Sequence, residues 1–550
     1  MRARTWTAVS AGAVLTSLVT AVPAQAEPAG PAEQARASVR VDQGALAWGP
    51  CEDLRPVADE DLECATLTVP LARTADGGRA EGDDDTVRLA LSRVPATGEA
   101  EHTLLVNPGG PGSAGRMWAS YTHQRMPAEL RETYDVVAFD PRGVGASTPS
   151  IACDPSLFEP VRPDTVPADA AAEAALRADA RDYARSCADN TGPLLQHTRT
   201  EDTAHDMDAI REALGLERID YLGYSYGSYL GTVYSALHPD RVRALVLDSV
   251  VHPDRPWYES NLAQSRALDR AARNFFDWTA RHDDVYGLGT TGEEVAEAYY
   301  ALRSELADEP VGGTVGPTEL EGAAIVVAYS GASWPSVAGA LSARINDGDG
   351  APLLALHEAH GEDAESDRGY GGYLAVQCTD SHWPEDWSTW RADAERVHRE
   401  APFMTWNNVW YNAPCATWKA GSGDWLQVGD GPGEHPAYGG DALLVHATED
   451  GATPVEGAFA LRERLPGAVL VTEEGGHTHG VSLTGNTCVD EAVAAYLRDG
   501  ELPARAEGTG PDVTCEARPE PRPVAGRDGS GSTAAPVAPG SRGASGQPVE

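Results

Sequence analysis

Short runs of aliphatic and β-branched residues recur along the chain between Gly, Pro and Asp punctuation, and stretches of helical periodicity separate most of them. Eight such runs predict strands, at residues 65–71, 87–94, 103–106, 134–139, 218–222, 243–247, 442–446 and 469–472. A polar turn at 77–85 predicts a hairpin of the first two at one sheet edge, whereas the later runs are joined through helices, as parallel neighbours require. The alternation predicts an α/β fold with an eight-stranded, mostly parallel sheet. Between the sixth and seventh runs lie nearly two hundred residues, too many for an ordinary connection. The segment 251–436 is therefore expected to be a mainly helical lid inserted between strands 6 and 7, dividing the core into 27–250 and 437–516. Ten of the 13 tryptophans fall in that insertion, which gives it an apolar core of its own or an aromatic wall. Past Cys515 the composition turns to Pro, Gly, Ser and Ala, too poor in large apolar groups to offset ordering entropy, so 517–550 is expected to be a disordered tail. Asn346-Asp347-Gly348-Asp349-Gly350 lacks the spacing and closing Glu of a calcium loop and reads as a turn.

The first residues add a compartment. Arg2 and Arg4, an apolar run at 8–22 and Ala24-Gln25-Ala26 have the order of a secretory leader, so 1–26 is expected to be removed and the mature chain to begin near Glu27. No later stretch reaches the roughly 18 consecutive apolar residues of a membrane span, and no anchor motif is visible. With 84 Asp and Glu against 42 Lys and Arg, nucleic acid and anionic membranes are poor partners. Eight cysteines in an exported chain favour disulfides over metal ligation, and sequence neighbours suggest Cys51 with Cys64, Cys153 with Cys187, Cys378 with Cys415, and Cys488 with Cys515. No motif calls for a metal or a cofactor. His205, Asp206 and Asp208 lie on an expected helix, where solvated or capping roles suit them.

Chemistry enters at the fifth strand. Gly223-Tyr224-Ser225-Tyr226-Gly227 stands between that strand and the helical stretch 229–237, the context in which G-x-S-x-G lifts a serine hydroxyl above a sheet. A serine needs a base, and the base needs a group that fixes its tautomer. The seventh run ends in Thr448-Glu449-Asp450-Gly451-Ala452-Thr453-Pro454 and the eighth in Glu473-Glu474-Gly475-Gly476-His477-Thr478-His479, so both loops arrive at the carboxyl edge where Ser225 is presented. Asp450 is favoured as the acid, with Glu449 and Asp248 as the other carboxylates in reach. His477 is favoured as the base because it follows two glycines, with His479 two residues on as the alternative. The third strand runs into Asn107-Pro108-Gly109-Gly110-Pro111-Gly112, which places the backbone N–H of Gly110, with that of Tyr226, as the donor pair for an oxyanion.

Together these motifs resemble a known family, the secreted bacterial tripeptidyl aminopeptidases, relatives of the prolyl iminopeptidases within the α/β hydrolases. The likeness spans residues 48–515. It rests on N-P-G-G-P-G from Asn107, F-D-P-R-G-V-G from Phe139, the run 190–227, Asp450 with Thr453-Pro454, and Gly485-Asn486-Thr487-Cys488-Val489-Asp490. The doubled histidine around Thr478 and the Ser-Ala after Gly112 depart from the common family forms. The resemblance implies Ser225, Asp450 and His477 as a triad, a helical lid, and release of short peptides, often tripeptides, from free N-termini, with lid carboxylates holding the substrate ammonium. Asp380 and Glu385, beside Cys378 and Trp383, are the candidates for that role. A secreted carboxylesterase or lipase would use the same triad, and a catalytically dead binding protein would need none of it.

Overall fold

Residues 46–54, 61–75, 77–428 and 437–524 are described by a computed structural model. The expected leader at 1–26, the lid boundary at 436 and residues 525–550 of the expected tail lie outside the described residues.

Ten strands form one sheet: β1 (Gly49–Pro50), β2 (Glu63–Pro70), β3 (Thr86–Val94), β4 (His102–Asn107), β5 (Tyr134–Asp140), β6 (Ile219–Tyr224), β7 (Val242–Asp248), β8 (Ala442–Ala447), β9 (Ala468–Glu474) and β10 (Val513–Glu516). Their order is β1-β2-β3-β5-β4-β6-β7-β8-β9-β10, antiparallel as far as the β3–β5 pair and parallel beyond it. The eight expected runs are β2 to β9. The two additional strands are edge pieces of two and four residues, too short to carry a periodic signal.

The central strands read as continuous apolar runs because both faces are covered. Successive residues divide between two cores: Val137, Leu245 and Leu444 face one cluster, and their neighbours Val136, Val246 and Leu443 face the other. On the core lie helices α1 (Met117–Arg125), α2 (Ala128–Thr133), α3 (Ala170–Thr191), α4 (Thr200–Ala213) and α5 (Tyr226–Leu237). Helix α5 has no charged residue and is buried nearly all round, which makes it a rigid support for whatever precedes it. After β8 and β9 come α15 (Glu456–Arg464) and α16 (Thr487–Asp499).

Between β7 and β8 the chain is helical. It forms α6 (Trp257–Arg281), α7 (Asp283–Tyr286), α8 (Gly292–Asp308), α9 (Pro317–Ala324), α10 (Trp334–Asp347) and α11 (Ala351–His360), then α12 (Asp367–Asp380), α13 (Trp387–His398) and α14 (Thr405–Asn412). Its first helices bury Phe275, Phe276, Trp278, Tyr299, Leu302 and Trp334 in a third apolar cluster. Asn346 and Asp347 form the end of α10 and Gly348 caps the helix at φ 69°.

Two expectations change. Asp206 is fully buried rather than solvated, because Arg142 of the F-D-P-R-G-V-G segment and Arg73 both bind its carboxylate, at 2.8 and 2.6 Å. The chain after β10 is placed as far as residue 524 and runs along the helices between β7 and β8. The Trp278 Nε1–H donates to the Pro521 carbonyl at 3.2 Å, Arg281 pairs with Glu520 at 2.7 Å, and the Arg518 N–H donates to Glu473 at 2.9 Å. Backbone acceptors and ion pairs of this kind leave no mark in composition. The four disulfides are Cys51–Cys64, Cys153–Cys187, Cys378–Cys415 and Cys488–Cys515, the same neighbour pairs suggested by the sequence. No described helix is long and apolar enough to cross a membrane.

Candidate active site

Ser225 stands between β6 and α5 at φ 56° and ψ −124°, a conformation a non-glycine residue holds only where its surroundings impose it. The turn is so tight that a Cβ on Gly223 would lie 2.3 Å from the Gly227 carbonyl oxygen, and one on Gly227 would lie 2.7 Å from that of Asn107. The Ser225 N–H donates to the Asp248 carbonyl at 2.9 Å, which fixes the elbow to the end of β7.

The loop after β4 lies against the elbow. Asn107 Oδ1 accepts the Gly109 N–H at 2.9 Å, and Gly109, at φ 97°, passes so close that a Cβ there would meet the Ser225 Cβ at 2.8 Å. Gly110, Ser225 and Tyr226 line one cavity, so the expected donor pair and the serine share a space.

Asp450 is buried at the end of β8 and is heavily hydrogen-bonded. It accepts the N–H groups of Ala452 at 2.8 Å and Thr453 at 2.9 Å, the Thr453 hydroxyl at 3.0 Å, and His479 Nδ1 at 2.8 and 3.0 Å. Burial alone would raise its pKa, but the charge and hydrogen bond of His479, with help from His446 and the Thr453 N–H, bring it down to about 2. The same pairing outweighs burial at His479 and raises the imidazole above its ordinary value. A carboxylate on Nδ1 fixes the neutral tautomer with its proton there, leaving Nε2 as the basic nitrogen.

The histidine that meets Asp450 is therefore His479, not the expected His477. His477 Nδ1 lies 3.5 Å from Asn274 Nδ2 and its ring packs 4.9 Å from Trp334, away from Asp450. The two preceding glycines serve the turn off β9 instead, where the Gly476 carbonyl accepts the Glu449 N–H at 3.0 Å. His479 is clamped from both sides. Its N–H donates to the Tyr329 carbonyl of the helical segment between β7 and β8 at 2.8 Å, and the Gly480 N–H donates to Ser249 Oγ at 2.8 Å. The N–H groups of Val481 and Ser482 donate to Asp248 Oδ2 at 2.9 and 2.6 Å. Asp248 thus anchors the histidine loop rather than the ring, and burial pushes its carboxyl up to about 6. Glu449 accepts from Asn274 at 3.3 Å and is not in contact with His479.

Neither expected amine ligand reaches the cavity. Asp380 is 3% exposed and accepts the Thr200 N–H and hydroxyl, at 2.7 and 2.6 Å, and Trp257 Nε1 at 3.2 Å. Burial pushes its carboxyl up to about 6, and it braces Trp257 from behind. Glu385 is exposed on the connection between α12 and α13.

Residues that sequence reasoning missed line the cavity from the helical segment between β7 and β8: Asn261 and Gln264 of α6, and Tyr373 and Gln377 of α12. They form one amide network. Gln264 donates to the Ala452 carbonyl at 2.9 Å, Asn261 to Gln377 at 3.2 Å, and the Tyr373 hydroxyl to Asn412 at 2.9 Å. The only trace in sequence is the spacing of Asn261 and Gln264 one turn apart on a helix. His446, also missed, is buried in β8. Its Nδ1 accepts the Val250 N–H at 3.0 Å, so Nε2 carries the proton and donates to the Thr453 carbonyl at 2.8 Å. Among the described residues no group of three or more His, Cys, Asp or Glu is placed to hold a metal ion.

A family model described as alpha/beta hydrolase fold matches residues 102–286, and one described as TAP-like protein matches residues 401–515. The chain is similar to the tripeptidyl aminopeptidase of Streptomyces lividans, 39% identical over 504 residues that cover 88% of this chain and 89% of the relative. It is 31% identical over 481 residues to the serine protease Hip1 of Mycobacterium tuberculosis, covering 83% of this chain and 89% of that one. Carboxylesterase B of Mycobacterium tuberculosis is 33% identical over 476 residues, covering 83% and 88%.

Proposed function

The chain belongs to the tripeptidyl aminopeptidase family of α/β hydrolases, and from that premise we propose that it is a serine exopeptidase releasing short peptides from free N-termini. The observation that carries the reading is the buried Asp450–His479 pair at the carboxyl edge of the sheet that presents Ser225.

In the first half-reaction His479 Nε2 takes the hydroxyl proton of Ser225 as Oγ attacks the scissile carbonyl carbon. Asp450 keeps the other ring proton on Nδ1 and stabilises the imidazolium. The carbonyl oxygen, now an oxyanion, is received by the backbone N–H groups of Gly110 and Tyr226, each such donor being worth about 3–4 kcal/mol in the transition state. Collapse breaks the C–N bond, His479 returns the proton to the leaving amine, and the N-terminal fragment stays as an ester on Ser225. Water, deprotonated by the same nitrogen, then hydrolyses that ester.

The helical segment between β7 and β8 acts as a lid that limits how much chain enters past the scissile bond. Its amide network, able to donate and accept, suits the backbone and amine of a short peptide better than an alkyl chain, which favours a peptidase over an esterase. The four disulfides support export to an oxidising compartment. The test is a matched panel: a chromogenic tripeptide amide with a free amine, its N-acetyl twin, a single-residue amide and a short-chain acyl ester. Rapid cleavage of the free tripeptide, lost on acetylation, is expected. Cleavage of the ester alone would overturn the peptidase reading.

A further inference from the structure

The cavity over Ser225 has one wall unlike the rest. Val250 to Arg255 joins β7 to α6, and it is held firmly: the Val251 N–H donates to Ser228 Oγ at 2.9 Å, and Trp425 Nε1 donates to the Pro253 carbonyl at 2.8 Å. The Arg255 carbonyl accepts from Ser260 Oγ at 2.9 Å. Arg255 lines the cavity together with Ser225 and is half-buried. Its neighbour Asp254 is occupied by Arg464 at 2.7 Å, and the Arg255 guanidinium makes no ion pair or side-chain hydrogen bond with a described residue.

An unpaired guanidinium is unexpected in a chain with 84 carboxylate residues against 42 basic ones. No carboxylate is among the residues lining the cavity. His252, also on this wall, accepts the Asp254 N–H on Nδ1 at 3.2 Å, and burial and the charge of Arg255 both lower its pKa. Arg255 is thus the permanent charge among the described lining residues. A half-buried guanidinium offers a planar fork of donors that matches a carboxylate in a way that water or a neutral amide does not.

We propose that Arg255 is a specificity-determining residue that binds a carboxylate of the peptide substrate in the cavity beside Ser225. This rests on the peptide reading above. The carboxylate has two sources, an acidic side chain in the N-terminal fragment or the free α-carboxylate of a short peptide. Either makes an anionic peptide a better ligand than its neutral isostere, although the acidic surface as a whole disfavours anions.

The test uses binding, measured by calorimetry on the Ser225→Ala protein so that no turnover intervenes. The probes are trialanine amide carrying Glu or Gln at the first, second or third position in turn, and trialanine with a free carboxylate against its amide. One of these pairs is expected to show the anionic member binding about tenfold to a hundredfold tighter, the range of a charge-assisted pair. Adding Arg255→Gln should collapse that ratio to near one, and Arg255→Lys should restore part of it. A preference at a Glu position assigns the side chain as the source, and a preference in the carboxylate–amide pair assigns the terminus. Ratios near one for every pair in the Arg255 protein, or a ratio that survives Arg255→Gln, would overturn the proposal. Failure of the native protein to cleave a neutral free-amino tripeptide would count against the peptidase reading alone, since the binding ratios are read without catalysis.

Discussion

Replacing Asp450 with Asn keeps the shape of the acid and removes its charge, and the hydrogen bonds around the carboxylate decide the consequence. Asp450 accepts from two backbone N–H groups, the Thr453 hydroxyl and His479 Nδ1, so it has no need of a donor. An Asn at 450 has one accepting oxygen, which the N–H groups of Ala452 and Thr453 hold in place, and so turns its NH₂ toward His479. A donor facing Nδ1 reverses the tautomer: the proton moves to Nε2, where the lone pair is needed to take the Ser225 proton. Loss of the acid in triads of this geometry costs about 10⁴ in kcat, close to 5–6 kcal/mol in the barrier. Stability should suffer less, by about 1.5–3 kcal/mol for a lost charged hydrogen bond. The assay is kcat/KM on a free-amino tripeptide amide, with circular dichroism and a urea melt to establish that the variant is folded. A folded Asp450→Asn protein within tenfold of the parent would refute both the tautomer argument and the role of Asp450.

The pH profile rests on the same pair. Because Asp450 raises the pKa of His479, the acid limb of kcat/KM should lie above the ordinary imidazole value of about 6.5, with activity rising as the ring loses its proton; a limb below that value would contradict the pairing. For folding the sign is the other way at Asp450, whose pKa falls to about 2, so its contribution to stability is full above its unfolded value and is lost as pH falls through about 2. Gly227→Ala places a Cβ 2.7 Å from a backbone oxygen that cannot move aside, so it should cost activity by orders of magnitude while the expressed protein stays folded, as read by phosphonate labelling of Ser225 beside a thermal melt. Removing residues 519–550, which leaves Arg518 on Glu473, strips the buried Trp278 N–H of its acceptor and breaks the exposed Arg281–Glu520 pair, and should lower unfolding free energy by about 1–3 kcal/mol, most of it from the former; an unchanged urea midpoint would mean that the segment does not hold the helices between β7 and β8.

What was legible in the sequence was what repeats or is forced locally. Strands β4 to β9 announced themselves as apolar runs because they are covered on both faces, β2 and β3 as alternating runs about a polar turn, and the elbow because only glycine fits at 223 and 227. The edge strands β1 and β10 were not legible, since two and four residues carry no period. The histidine failed for a different reason. His477 and His479 are two residues apart in one loop, and what selects between them comes from Tyr329 in the lid and from Asp248 and Ser249 after β7, all distant in sequence. Asp380 was misread in the same way. Its environment is set by Thr200 and Trp257, which lie 180 and 123 residues away, so no local signal distinguishes a buried brace from an exposed ligand.

Activation of Ser225 by His479, held by Asp450, is the step on which the proposed chemistry depends. Its most direct test compares single-turnover acylation of Ser225 by a tripeptide nitrophenyl ester in His479→Ala and His477→Ala proteins of verified fold. His479→Ala should acylate at least about 10⁴-fold more slowly than the parent, and His477→Ala within about tenfold of it. The opposite ranking, with His477→Ala inactive and His479→Ala near the parent, would assign the base to His477 instead.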